Sequence, residues 1–273
     1  MSKKQKHIAD LSEIFASKPK RKAQEDLVRY ITVNSNLPGP RGNLELASAF
    51  EELVSDRASR NSVEELWELC SSMSNLSSIE APVNDPKEFI AFCGTRGLGA
   101  IGEKCQEYQK KTLFRLQTLA QDSRWRMREA VAMALQRLLS GDNNKIRREL
   151  EDWIEKGDWL VLRGTMAGIA EPHLLKDIDF AEWALEAHVK VLDRIRDSSN
   201  RKSDEFRVLR KALGYTLSVV VKAIPSSGFR FLRELIKMDD KDIKWIVKEN
   251  LKKKRLVTNF PKEVDKLAKI LGL

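Results

Sequence analysis

The sequence predicts an all-α protein built from stacked antiparallel helical pairs. Apolar residues recur at i, i+3/i+4 and i+7, short capping turns punctuate these stripes, and one helix-start pattern repeats four times. Ile146, Leu150, Trp153 and Ile154 form one such stripe. Met127, Val131, Ala134, Leu135 and Leu138 form a second, and Phe180, Ala184, Ala187, His188, Val191 and Ile195 a third. Val264, Leu267, Ala268 and Leu271 repeat the pattern at the chain's end. No period-2 alternation and no hairpin dipeptide marks a strand.

Breaks at Asp122-Ser123, 140–144, Gly157-Asp158, Glu171-Pro172, 198–200, 225–228 and Asp239-Asp240 supply turn and cap residues where helices should stop and start. Helices of about 10–15 residues joined this way lie antiparallel to their neighbours.

The repeated pattern is a turn residue, five intervening positions, and a basic residue preceded by an apolar one. It reads Asp122…Met127-Arg128, Gly157…Leu162-Arg163, Asp204…Leu209-Arg210 and Asp242…Val247-Lys248. Three positions past the base, all four copies are apolar: Val131, Met166, Leu213 and Leu251. A further amphipathic helix precedes each copy, at roughly 109–120, 145–156, 180–196 and 229–237. Six residues at 100° each set the acid and the base about 120° apart on one helix, so they pair between neighbouring repeats rather than within one. The expectation is that Arg128, Arg163, Arg210 and Lys248 are occupied in this way.

Over about residues 108–257 this pattern resembles the HEAT-repeat family. The resemblance implies a right-handed α-α superhelix, a HEAT-like solenoid of about five to six helical pairs. Residues 108–273 would form one continuous stack, and residues 1–107 atypical capping helices. In the first part, helices are predicted at about Leu44–Val54, Val63–Met73 and from Asp85-Pro86 with Glu88 as capping-box partner, with a loop from Ser71 to Val83.

Composition supports a folded chain: 42% hydrophobic and 33% charged residues. The longest apolar run, Leu213–Ile224, is too short for a membrane span. Lys3, Lys4 and Lys6 are not followed by the apolar stretch of a secretory signal. Cys70, Cys93 and Cys105 form no CxxC pair, which suits a cytoplasmic protein with structural thiols.

Most chemical signals are weak. Gly97-Leu98-Gly99-Ala100-Ile101-Gly102 matches GxGxxG literally, but a helix rather than a strand leads into it, so close helix packing is expected instead of a nucleotide site. His7, His173 and His188 are scattered, and His188 lies on an apolar stripe as a core residue. No cofactor, metal or catalytic constellation is expected. Trp125, Trp153 and Trp245 are expected to fill inter-repeat core.

A distant likeness to the DNA alkylation-repair glycosylases, which are HEAT-like solenoids with a basic groove, implies an enzymatic alternative acting on alkylated bases. That family's Asp four positions after a Trp is absent here. Only Trp125-Glu129 and Trp245-Glu249 keep a carboxylate at that spacing.

Net charge is +9. Basic residues crowd three helix starts, and Arg124, Arg126, Arg207, Lys211, Lys244 and Lys252 are those expected to be free for phosphate. The functional expectation is therefore a non-catalytic binding module. Its basic concave face would take a macromolecular partner, either a nucleic-acid backbone or an acidic protein. A plain scaffold is the third reading.

Overall fold

The computed structural model describes residues 1–17, 19–59, 63–141 and 143–272. Among these the chain is all-helical, with fifteen α-helices, one 3-10 turn and no strand. It divides into two compact units, Met1–Asn143 and Asn144–Leu273.

The first unit contains α1 (Lys3–Ala16), α2 (Lys20–Val33), α3 (Leu44–Ala58), α4 (Val63–Ser74), α5 (Glu88–Lys104), α6 (Gln106–Leu119) and α7 (Trp125–Gly141). Odd-numbered helices pack in sequence, α1 on α3, α3 on α5 and α5 on α7. Even-numbered ones form a second row: Lys20 of α2 pairs with Glu65 of α4, and Trp67 of α4 packs on Tyr108 of α6. The predicted helices at 44–54 and 63–73 are present and slightly longer. The one expected from Asp85 begins at Glu88, with the Asn84 N–H donating to Glu88 Oε2.

Helix α5 is the centre of this unit, buried along nearly its whole length. The GxGxxG stretch lies inside it, and the glycines serve close packing, as expected. A Cβ at Gly99 would sit 2.7 Å from Ala134 Cα on α7, and one at Gly94 would sit 2.7 Å from the Ser74 backbone N on α4. These side-chain-free positions let backbones approach closely.

The boundary between the units lies at 143/144. The reason is packing: α7, the first copy of the repeated pattern, lies against α5.

The second unit contains α8 (Asn143–Lys156), α9 (Trp159–Ile169), a 3-10 turn (Leu174–Lys176), α10 (Ile178–Asp197), α11 (Asp204–Ala223), α12 (Pro225–Lys237), α13 (Lys241–Leu251), α14 (Lys254–Val257) and α15 (Pro261–Ile270). The same alternation holds. Helices α9, α11 and α13 pack side by side, and α10 and α12 pack on the partners that follow them. Helices α8 and α10 are joined by Trp183 Nε1 donating to Glu151, 3.2 Å, and by Arg194 donating to the carbonyls of Ile154 and Gly157. This is a stack of helical pairs, with pairs at the predicted positions.

His188 is a core residue, as expected. It lies between α10 and α11, with Nδ1 2.7 Å from the Ala184 carbonyl and Nε2 3.0 Å from Thr216 Oγ1. Burial lowers its pKa to about 4, so the ring is neutral, donating from Nδ1 and accepting at Nε2.

Candidate partner-binding surface

The repeated acid–base pattern is realised between α11 and α13. Ser203 caps α11 by accepting from the Phe206 N–H. Asp240 caps α13 by accepting from the N–H groups of Asp242 and Ile243. Asp242, one step inside the helix and nearly buried, receives Arg210 from α11 at 2.5 Å, the expected inter-repeat contact. Arg201 joins the cluster through Asp240 at 2.5 Å and Asp242 at 3.6 Å. The Arg210 guanidinium also stacks on Trp245, 4.5 Å from the ring centroid.

Two further features fix the spacing of these helices. At Gly214 a Cβ would meet Glu249 Cβ and Trp245 Cζ3, each at 3.2 Å. The buried Asn250 amide grips the α11 backbone at two points, accepting from the Ser218 N–H at 2.7 Å and donating to the Leu213 carbonyl at 2.8 Å.

Arg128 donates to its own helix start, the carbonyls of Asp122 (2.6 Å) and Ser123 (2.9 Å), because those carbonyls precede the first turn of α7 and need donors. Lys248 has no ion-pair partner among the described residues.

The six residues expected to bind phosphate separate into two groups. Arg124 and Arg126 are buried, at 1% and 4% exposure, and are structural. Arg124 donates to the carbonyls of Leu76 (2.8 Å), Ser77 (3.4 Å) and Ala81 (3.0 Å) and forms an ion pair with Asp122 at 2.6 Å. Arg126 pairs with the fully buried Glu88 at 2.9 Å and donates to the Gly39 carbonyl at 2.6 Å. Together they clamp the loops before α3 and α5 onto the start of α7. Neither guanidinium is free for a phosphate.

Arg207, Lys211, Lys244 and Lys252 lie in the second unit and keep solvent contact. Arg207 and Lys211 are one turn apart on α11; Lys244 and Lys248 are one turn apart on α13, with Lys252 just past its end. Arg207 pairs with Asp204, Lys244 with Asp239 and Lys252 with Glu249, all exposed contacts worth little. Lys211 has no ion-pair partner among the described residues. Residues 198–255 hold 16 Lys/Arg against 7 Asp/Glu, a net +9. Residues 144–197 hold 9 against 12. The positive charge of the second unit is thus concentrated around α11–α13.

Of the tryptophans expected in the core, Trp153 is buried and Trp245 half-buried. Trp125 is 45% exposed, because it is the first residue of α7 and its ring lies beside the Arg126 guanidinium, 4.4 Å away. Burial pushes the Cys93 thiol up to about 12 and raises Cys70 and Cys105 as well, so none is an activated nucleophile. Among the described residues no cluster of three His, Cys, Asp or Glu is placed to hold a metal ion. Among the described residues no helix is long and apolar enough to cross a membrane.

No known protein family matches the sequence, and no curated protein matches it. Among solved structures, the chain is similar to an engineered protein at 16% identity, covering 92% of this chain and 97% of that one with a TM-score of 0.32. It is also similar to a designed armadillo repeat protein at 15% identity, covering 82% and 98% with a TM-score of 0.29. At such scores neither likeness carries weight beside the geometry. The architecture rests on the chain's own helices: pairs packed in two rows within each unit.

Proposed function

We propose that this protein is a non-catalytic helical-repeat binding module whose α11–α13 surface takes a polyanion, the phosphate backbone of a nucleic acid. The observation that carries this reading is the concentration of net +9 charge on residues 198–255, with Lys211 and Lys248 lacking carboxylate partners among the described residues. Helix α11 packs on α9, α10, α12, α13 and α14, and its exposed residues include Arg207 and Lys211, one turn apart. Lys244, Lys248 and Lys252 recur at turn spacing on and just past α13, which supports reading the two helices as one basic stripe. The weak exposed pairs to Asp204, Asp239 and Glu249 give way readily to a dense row of phosphates.

The glycosylase-like alternative has less support. That family's Asp four positions after a Trp is absent from this sequence.

The test is fluorescence anisotropy with a labelled duplex and a labelled single strand across a salt series. Affinity should fall steeply with salt, and the double variant Lys211→Glu/Lys248→Glu should flatten the log–log slope by about 2 or more while leaving the fold intact. Salt-independent binding, or a double variant that binds as the parent does, would remove the proposal. Equal binding of polyglutamate, lost in the same variant, would reassign the surface to an acidic protein. Base release from alkylated DNA would establish the enzymatic reading in its place.

A further inference from the structure

Between α2 and α4 in the first unit lies an open trough of about 590 Å³, a size typical of small-molecule sites. Its apolar lining comes from Phe15 at the end of α1, Leu27 on α2, and Leu66 and Leu69 on α4. One cation stands over this floor without an acidic partner. Arg57, near the end of α3, stacks on Phe15 with its guanidinium carbon 4.9 Å from the ring centroid. Its Nε is shielded from solvent and has no hydrogen-bond partner among the described residues. No carboxylate of those residues lies within ion-pair distance of it. Lys20, the other cation of the lining, is already tied to Glu65.

A shielded guanidinium donor left unpaired is costly, and the planar group that best satisfies it is a carboxylate. The wall opposite limits the charge a ligand can carry. Glu68 of α4 is exposed at the rim and has no ion-pair partner among the described residues. One negative charge is met by Arg57; a second adds repulsion from Glu68. We propose that the trough binds an amphipathic monocarboxylate, a linear apolar chain with a single carboxylate. The chain lies along Phe15, Leu27, Leu66 and Leu69, and the head group pairs with Arg57.

Isothermal titration of the full chain with decanoate, decanol and decyl phosphate tests this directly. Decanoate should bind about tenfold or more tighter than decanol, and tighter than the dianionic decyl phosphate. Arg57→Met should erase the preference for decanoate over decanol while decanol still binds. Ala23→Trp, which fills the trough from α2, should block both ligands with the helical circular dichroism unchanged. Equal affinity for decanoate and decanol on the unmodified protein would overturn the proposal whatever the variants do. So would a preference that survives Arg57→Met. Capture of a Leu-Leu-Glu-Leu peptide amide without any binding of decanoate would assign the trough to a protein partner and likewise overturn it.

Discussion

The basic clusters of the two units are used in different ways. In the first, Arg124 and Arg126 are drawn inside, one onto three loop carbonyls and the other onto a buried glutamate. Arg96 and Arg137 tie α3, α5 and α7 through Glu51 and Glu103. Burial raises the Glu51 pKa, and the charges of Arg96 and Arg137 pull it part of the way back. In the second unit, Arg201 and Arg210 meet acids at the helix starts while Arg207 and Lys211 stay at the surface. The lesson is that a cluster of basic residues is not by itself a binding face. What decides is how many unpaired carbonyls and carboxylates the surrounding chain brings to it. The long loops before α3 and α5 bring several, and the short turns of the second unit bring few.

The sharpest way to break this comparison is to truncate one arginine of each kind. Arg126→Ala leaves Glu88 buried without its partner and should cost about 3–5 kcal/mol, seen as a drop in the urea midpoint of the first unit. Arg207→Ala should change stability by less than about 0.5 kcal/mol. If the two substitutions behaved alike, the distinction between clamp and surface would be lost.

Next in size is Gly99→Leu. Its side chain must displace Ala134, so a loss of about 1–3 kcal/mol or more is expected, read as faster hydrogen exchange in α5 and α7. Unchanged exchange would mean that α5 and α7 are not in close contact.

The second unit has a pH dependence of its own. His188 is neutral when folded, with a pKa near 4 against an ordinary 6.5, so the unfolded chain binds a proton that the folded one does not. Its contribution is complete above pH 6.5 and is lost as pH falls from there toward 4, by at most about 1.4 kcal/mol per pH unit. Urea titrations between pH 7 and 4.5 should show this slope, and His188→Gln should flatten it. A slope that survives the substitution would place the titrating group elsewhere.

A modest effect belongs to the inter-repeat pair. Arg210 is about one-third exposed, so Arg210→Ala should cost only about 1–2 kcal/mol, most of it from leaving Asp242 unpaired. A loss as large as that of Arg126→Ala would show the second unit to depend on buried charge as the first does.

How much of this was legible beforehand depended on sequence distance. The helices of the second unit, their caps and the Arg210–Asp242 pair follow from residues a few positions apart and from a repeat that can be aligned. The role of α5 was also readable, since glycines inside a helical pattern have few uses other than close packing. Arg124 and Arg126 were misread because, Asp122 apart, their partners lie 38 to 87 residues away, in loops without periodicity and at the start of α5. A usable signal did exist. The stretch from Asn75 to Val83 and the Pro38–Gly42 turn hold backbone carbonyls with no helical partner, and some side chain must supply donors. Trp125 was placed in the core because the repeat alignment fixed its position in the pattern but not its depth in the first turn.

Asn250 has a consequence for how the second unit comes apart. Because this one side chain holds two main-chain groups of a neighbouring helix, drawing α13 away strips α11 of those partners in the same event. Loss of the third helical pair is therefore coupled to loosening of the one before it. An opening from that end that takes α13 with it involves more than a single repeat.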